Sequence, residues 1–172
     1  IDELTGVFSH RYFQIRLAQE VEGATRYKLP LNIVLLDIDY FGNYVEESGE
    51  HNGNMVLKKV SELLRKNIRG SDVVVRYGGE SFAVILPNTE ISAGLSLSNR
   101  FNDIIKNYPF AHEQDQPKGK VTASVGIVFL DGQSTEELIL CAEKALANAI
   151  KKGGDRVEVY SKEQHETEQV GS

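Results

Sequence analysis

The chain has 172 residues, enough for one domain with its own core, and an ordinary globular mix of 41% hydrophobic and 26% charged residues. A net charge of −6 excludes binding of long nucleic acid through a general basic field, while leaving room for a nucleotide held by a few local arginines. No apolar run reaches membrane-spanning length, a single cysteine excludes an internal disulfide, and His10, His51, His112 and His165 lack ligand spacing.

The chain starts at Ile1 without a signal-peptide pattern, so it reads as a fragment of a longer protein. Residues 9–27 predict a helix with Phe13, Leu17 and Val21 on one face. Pro30 punctuates, and the run 31–36 predicts a buried strand closed by Asp37-Ile38-Asp39. A short helix is expected over 41–48. A clearer one over 54–68 puts Val56, Val60, Leu63 and Leu64 inward and ends at Gly70. Two apolar runs, 72–77 and 82–86, flank Gly78-Gly79 and predict a tight hairpin. The helix over 91–108 buries Leu97, Phe101, Ile104 and Tyr108, and the polar stretch 109–119 reads as an exposed loop or small hairpin. Val121, Ala123, Val125, Ile127 and Phe129 alternate as a strand with one buried face. Ser134 and Glu137 form a capping box for a helix through Ile150, with Cys141 on its apolar side. A strand over 157–160 closes the domain, and 161–172 reads as a polar, disordered tail. The central order βαββαβ predicts an α+β, ferredoxin-like fold, a mainly antiparallel sheet with helices on one face.

Two acidic sites stand at the ends of core strands. Glu80 is at the tip of the Gly78-Gly79 turn, where glycines let a ligand approach the backbone. Asp37 and Asp39 close the first strand. Either site alone is an ordinary turn. Together they are what a site for divalent metal and phosphate requires.

Four motifs in order then carry a resemblance: Asp2-Glu3-Leu4-Thr5-Gly6, Asp37-Ile38-Asp39-Tyr40-Phe41, Gly78-Gly79-Glu80-Ser81-Phe82 and Thr122-Ala123-Ser124-Val125-Gly126-Ile127. From Asp2 to about Tyr160 the chain resembles the GGDEF domain of bacterial diguanylate cyclases, which condense two GTP into cyclic di-GMP. The resemblance implies the palm-like architecture of nucleotidyl cyclases, a GGDEF domain over 1–160, and a cytoplasmic site of action. It also implies catalysis by two domains facing each other, and an upstream sensory domain. It gives Asp37, the carbonyl of Ile38 and Glu80 the role of Mg2+ ligands, with Glu80 and Arg76 in catalysis.

Elsewhere the chain departs from that pattern. Gly42 stands where the family has a phosphate-binding lysine, and Val45 where it has the asparagine that bonds guanine. Asn54 replaces a guanine-reading aspartate, Ser81 the fourth signature acid, and Ile150 and Gly154 a lysine and arginine that grip the triphosphate. Lys151, Lys152 or Arg156 could stand in for the last two if the helix end shifts. A second family site, R-x-x-D, matches as Arg69-Gly70-Ser71-Asp72, with Arg100 as a further arginine; arginine forks onto guanine O6 and N7. An arginine at a helix C-terminus and a turn aspartate would be equally at home there without a ligand. Three readings follow. The first is a domain with lost or weak cyclase activity that binds cyclic di-GMP at Arg69, Asp72 and Arg100. The second is an active cyclase, with Asn54 relaxing purine choice. The third is a dimerisation or relay module that binds no nucleotide.

Overall fold

The computed structural model describes residues 1–162, so the expected tail lies outside the described residues except for Ser161 and Lys162. Helix α1 (His10–Tyr27) starts where the Ser9 hydroxyl accepts from the Tyr12 amide, and stops where Lys28 turns left-handed ahead of Pro30. Strand β1 (Leu31–Ile38) follows, then α2 (Phe41–Ser48) and α3 (Glu50–Lys66), hinged at Gly49 with φ 96°. Strands β2 (Val73–Arg76) and β3 (Ser81–Pro87) form the hairpin, and α4 (Ile91–Asn107) leads into a short 3-10 turn at Glu113–Asp115. Strand β4 (Ala123–Phe129), helix α5 (Thr135–Lys151) and β5 (Arg156–Val159) complete the domain. The Ser134 hydroxyl accepts from the Glu137 amide at 3.2 Å, as the capping box requires.

The five strands lie in the order β2-β3-β1-β4-β5; all neighbours are antiparallel except β4 and β5. The first four are the ferredoxin-like unit. Helices cover both faces of the sheet, not one. Val34, Leu36 and Ile38 of β1 pack with Val56, Val60 and Leu64 of α3 and Phe101 and Ile105 of α4. Ile33 and Leu35 pack on the opposite face with Phe13 and Leu17 of α1 and Leu138 and Ala142 of α5. The reason is that α1 and α5 lie outside the βαββαβ unit and close its free face. For the same reason β4 is buried on both faces. Each fully buried Leu, Ile or Phe contributes about 1.5–3 kcal/mol.

Other boundaries also differ from expectation. α3 begins at Glu50, four residues early, because Gly53 seats Val45 of α2 against it: a Cβ on Gly53 would stand 2.7 Å from Val45 Cγ2. α3 ends at Lys66 rather than near Gly70, with the Asn67 side chain donating to the Leu63 carbonyl. In α4, Gly94, Ser98, Phe101 and Ile105 are buried, while Leu97, Ile104 and Tyr108 are half-buried against the same core. Among the described residues, no helix is long and apolar enough to cross a membrane.

Candidate active site

The site is built at the C-terminal end of β1. Register pairs Asp37 with Ser81 of β3 on one side and Ser124 of β4 on the other. The Ile38 amide donates to the Glu80 carbonyl at 3.0 Å, which holds the signature turn against the strand end. A cleft of about 310 Å³ opens here. Its walls are Asp37, Ile38 and Asp39 of β1, Tyr40, Phe41 and Gly42 at the start of α2, Glu80 of the turn, and Ile150, Gly153 and Gly154 at the end of α5. Burial, then the charges of Glu80 and Asp39, push the Asp37 carboxyl up to about 7. A second cavity of about 340 Å³ lies beside it and shares Asp37, Glu80 and Ile150; Tyr77, Glu143, Leu146 and Ala147 add its other walls.

The turn between β2 and β3 spans residues 77–80, longer than a two-residue hairpin. The amides of Tyr77 and Gly78 both donate to the Ser81 carbonyl, at 2.9 and 3.2 Å. A Cβ on Gly78 would stand 2.5 Å from the Ser81 hydroxyl, which would have to rotate away; Gly79 has open space around it. Arg76 braces the turn from outside the cleft walls. Its Nε donates to the Gly78 carbonyl at 2.8 Å, one terminal nitrogen to the Gly79 carbonyl at 2.5 Å, and the other to Asp2 at 3.1 Å. Burial alone would raise the Asp2 carboxyl, but bonds from the Thr5 hydroxyl and amide, together with Arg76, outweigh it and hold the group below its usual range. Tyr77 ties the turn to two helices. Its hydroxyl donates to Glu143 of α5 at 2.5 Å, and its carbonyl accepts from His10 Nδ1 of α1 at 2.7 Å.

Of the residues singled out from sequence, Asp37, Ile38, Glu80, Gly42, Ile150 and Gly154 meet in the cleft. Val45 and Asn54 are absent from its walls, and Val45 is packed on Gly53. Asp39, read from sequence as completing D-x-D, is an anchor. Its carboxylate accepts from the hydroxyls of Thr122 and Ser124 at 2.7 and 2.6 Å and from the Asp155 amide at 2.8 Å. Nothing local in the sequence signals that hub, since its donors lie more than eighty residues away. Lys152 pairs with Glu158 at 3.3 Å, and Arg156 Nε donates to the Gly154 carbonyl at 3.1 Å. Lys118, from the loop after α4, donates to the Gly153 carbonyl at 2.6 Å.

Arg69 and Asp72 lie at the other end of the hairpin. The Asp72 carboxylate, with its side chain 2% exposed, accepts from the Arg69 amide at 2.9 Å and pairs with the guanidinium at 3.5 Å. The guanidinium also donates to the Pro87 carbonyl and the Thr89 hydroxyl, yet stays 58% exposed. Arg100, on α4, is exposed.

Two carboxylates and one main-chain carbonyl in one cleft fit Mg2+, which takes one or two protein carboxylates and completes its shell with water and phosphate. Among the described residues no cluster of three or more His, Cys, Asp or Glu side chains could hold a metal ion by itself.

The family model for the GGDEF domain of diguanylate cyclases matches residues 1–156. The chain belongs to the GGDEF family. This GGDEF domain is 37% identical over 159 residues to the diguanylate cyclase DgcP of Pseudomonas aeruginosa, covering 92% of the chain and 23% of that protein. It is 31% identical over 158 residues to the response regulator PleD of Caulobacter vibrioides, covering 91% of the chain and 35% of PleD. The chain thus spans about a quarter to a third of these relatives. The crystal structure of the GGDEF domain of DgcB from Caulobacter crescentus, in complex with c-di-GMP, superposes with a TM-score of 0.86. That match covers 93% of this chain and 92% of the other at 23% identity, a likeness of fold.

Proposed function

We propose that this GGDEF domain acts in cyclic di-GMP signalling as a receptor module that has lost GTP turnover. One observation carries the reading: among the described residues the cleft walls hold three carboxylates, Asp37, Asp39 and Glu80, and no lysine or arginine. Beyond any Mg2+ held by these carboxylates, a triphosphate brought there meets no side-chain cation in the walls. Each missing charge-assisted bond to phosphate costs about 1.5–3 kcal/mol, so two of them weaken binding about 100-fold or more. The backbone opposes a simple repair. Gly154 has φ +73°, and a Cβ on it would stand 2.9 Å from the Asp39 carboxylate, so an arginine there is strained.

The receptor role rests on Arg69 and Arg100, with the buried Asp72 carboxylate, expected from the motif to touch the ligand, instead bonded to Arg69. Arg69 is pre-positioned by Pro87 and Thr89 with more than half its side chain in solvent, and a guanidinium so held can fork onto a guanine edge. The domain would work in the cytoplasm, as part of a longer protein with an upstream sensory domain, and as a homodimer.

With Mg2+ and GTP, chromatography of the products is expected to show no cyclic di-GMP. Calorimetry with cyclic di-GMP is expected to show binding that Arg69→Ala weakens at least about tenfold. Binding that Arg69→Ala leaves unchanged would remove the receptor role. A second reading, an active cyclase, is favoured by the convergence of Asp37, Ile38 and Glu80 and by the uncapped first turn of α2 in the cleft wall, which favours an anion. Product formation from GTP would establish it and end the first reading.

A further inference from the structure

The cleft and its neighbour form one groove, because they share Asp37, Glu80 and Ile150. The groove runs along the last two turns of α5, from Glu143 to Ile150, beside the signature turn. Seven residues of helix rise about 10 Å, the reach of about three residues of extended chain. Its rim is apolar where an anion site would be cationic. Ile150 is 47% exposed and Tyr40 49% exposed, with Leu146 and Ala147 further along. Two large side chains half in solvent at one rim offer an apolar contact.

Its charge has one sign. Asp37, Glu80 and Glu143 face the groove, and among the described residues none of them is in a salt bridge; Glu143 has only the Tyr77 hydroxyl. Among the described residues no lysine or arginine lines either cavity. The C-terminal end of α5 adds its partial negative charge. Against this stand the first amides of α2, while Lys118 and Arg156 donate to the carbonyls of the wall residues Gly153 and Gly154. A carboxylate on an apolar wall suits an organic cation as well as Mg2+, since the aliphatic stem of arginine or lysine buries against Ile150 and Leu146 while its head meets the acid.

We infer that this groove docks a basic, apolar segment of a partner protein: an arginine or lysine flanked by aliphatic side chains. The inference rests on the reading that GTP is not the occupant of the cleft. It assigns the place to a protein partner by charge complementarity, with Asp37, Glu80 and Glu143 taking the cations and Ile150 the aliphatic neighbours.

The test is an anisotropy titration of the domain with a fluorescein-labelled Leu-Arg-Leu-Arg-Leu peptide and its Leu-Glu-Leu-Glu-Leu counterpart. Saturable binding of the basic peptide alone is expected. Ile150→Lys, at a solvent-facing position that keeps the fold, should weaken it at least about tenfold, and Glu143→Gln should weaken it measurably. Glu136→Gln, at the opposite end of α5, should leave it unchanged. Amide shifts on peptide addition should centre on Glu80, Ala147 and Ile150. No saturable binding, equal affinity for wild type and Ile150→Lys, or shifts elsewhere would overturn the inference. A parallel titration with Mg2+ and GTP separates the two claims. Tight GTP binding removes the functional reading beneath it, whereas absence of both GTP and peptide binding removes the docking groove alone.

Discussion

Asp39→Ala is expected to destabilise the domain by about 3–5 kcal/mol, read as a lower midpoint in urea unfolding with an unchanged slope. Three donors end on this carboxylate: Thr122 Oγ1 at 2.7 Å, Ser124 Oγ at 2.6 Å and the Asp155 amide at 2.8 Å. Thr122 and Ser124 are 2% and 0% exposed, so water cannot replace the lost acceptor cheaply. Hydrogen bonds to a charged acceptor are worth about 1.5–3 kcal/mol each, and stranding buried donors adds their desolvation. The three donors come from the approach to β4, from β4 itself and from the turn before β5, so the loss unfastens the whole rim of the cleft. Asp39→Asn keeps one acceptor oxygen, and the hydroxyls can rotate to accept from its NH2, so it should cost about half as much. An alanine variant as stable as wild type would show that the hub is ornamental.

Gly126→Ala is the second large effect, about 3 kcal/mol or more by the same measurement, because overpacking against backbone has no rotamer to relieve it. A Cβ on Gly126 would stand 2.3 Å from the Leu146 amide nitrogen and 2.8 Å from Ala145 C and Leu146 Cα. All three atoms are main chain of α5, so the helix must lift off the sheet. It would carry Ala142 and Leu138 with it, both at 0% exposure in the core on that face. Gly23→Ala is the matched control. Gly23 is inside α1 with nothing within 4 Å of the added carbon, and alanine there should be neutral or stabilising by up to about 1 kcal/mol. Equal effects at the two sites would refute the argument from contact.

Much of this architecture was legible along the chain because it is locally encoded. The capping box at Ser134, the 3.6-residue periodicity of α1 and the paired runs around Gly78-Gly79 each carry their signal within a few residues, and each appears where expected. The side to which the sheet is covered was not legible. A continuous apolar run such as 31–36 is compatible with burial on both faces, but which helices supply the second cover depends on α1 and α5 folding back from the chain ends. The start of α3 was missed for a related reason. His51, Asn52 and Gly53 are poor helix formers in isolation, and the packing of Val45 onto Gly53 holds them helical. At the site, motif spacing found Asp37, Glu80, Gly42 and Ile150, which the fold does bring together. It could not reveal that Asp39 is spoken for by Thr122 and Ser124, that Arg76 grips Asp2, or that Glu143 lines a cavity with Glu80, since those placements are set by tertiary distance.

The left-handed glycine at 154 has a historical consequence. A Cβ there would stand 2.9 Å from the Asp39 carboxylate on a left-handed backbone, so any side chain needs the turn to shift. A single codon change to arginine would therefore strain the turn before it produced a phosphate grip. For descendants of this chain a basic side chain at this position is thus two steps away, because the loop must be rebuilt before the new residue can be accommodated.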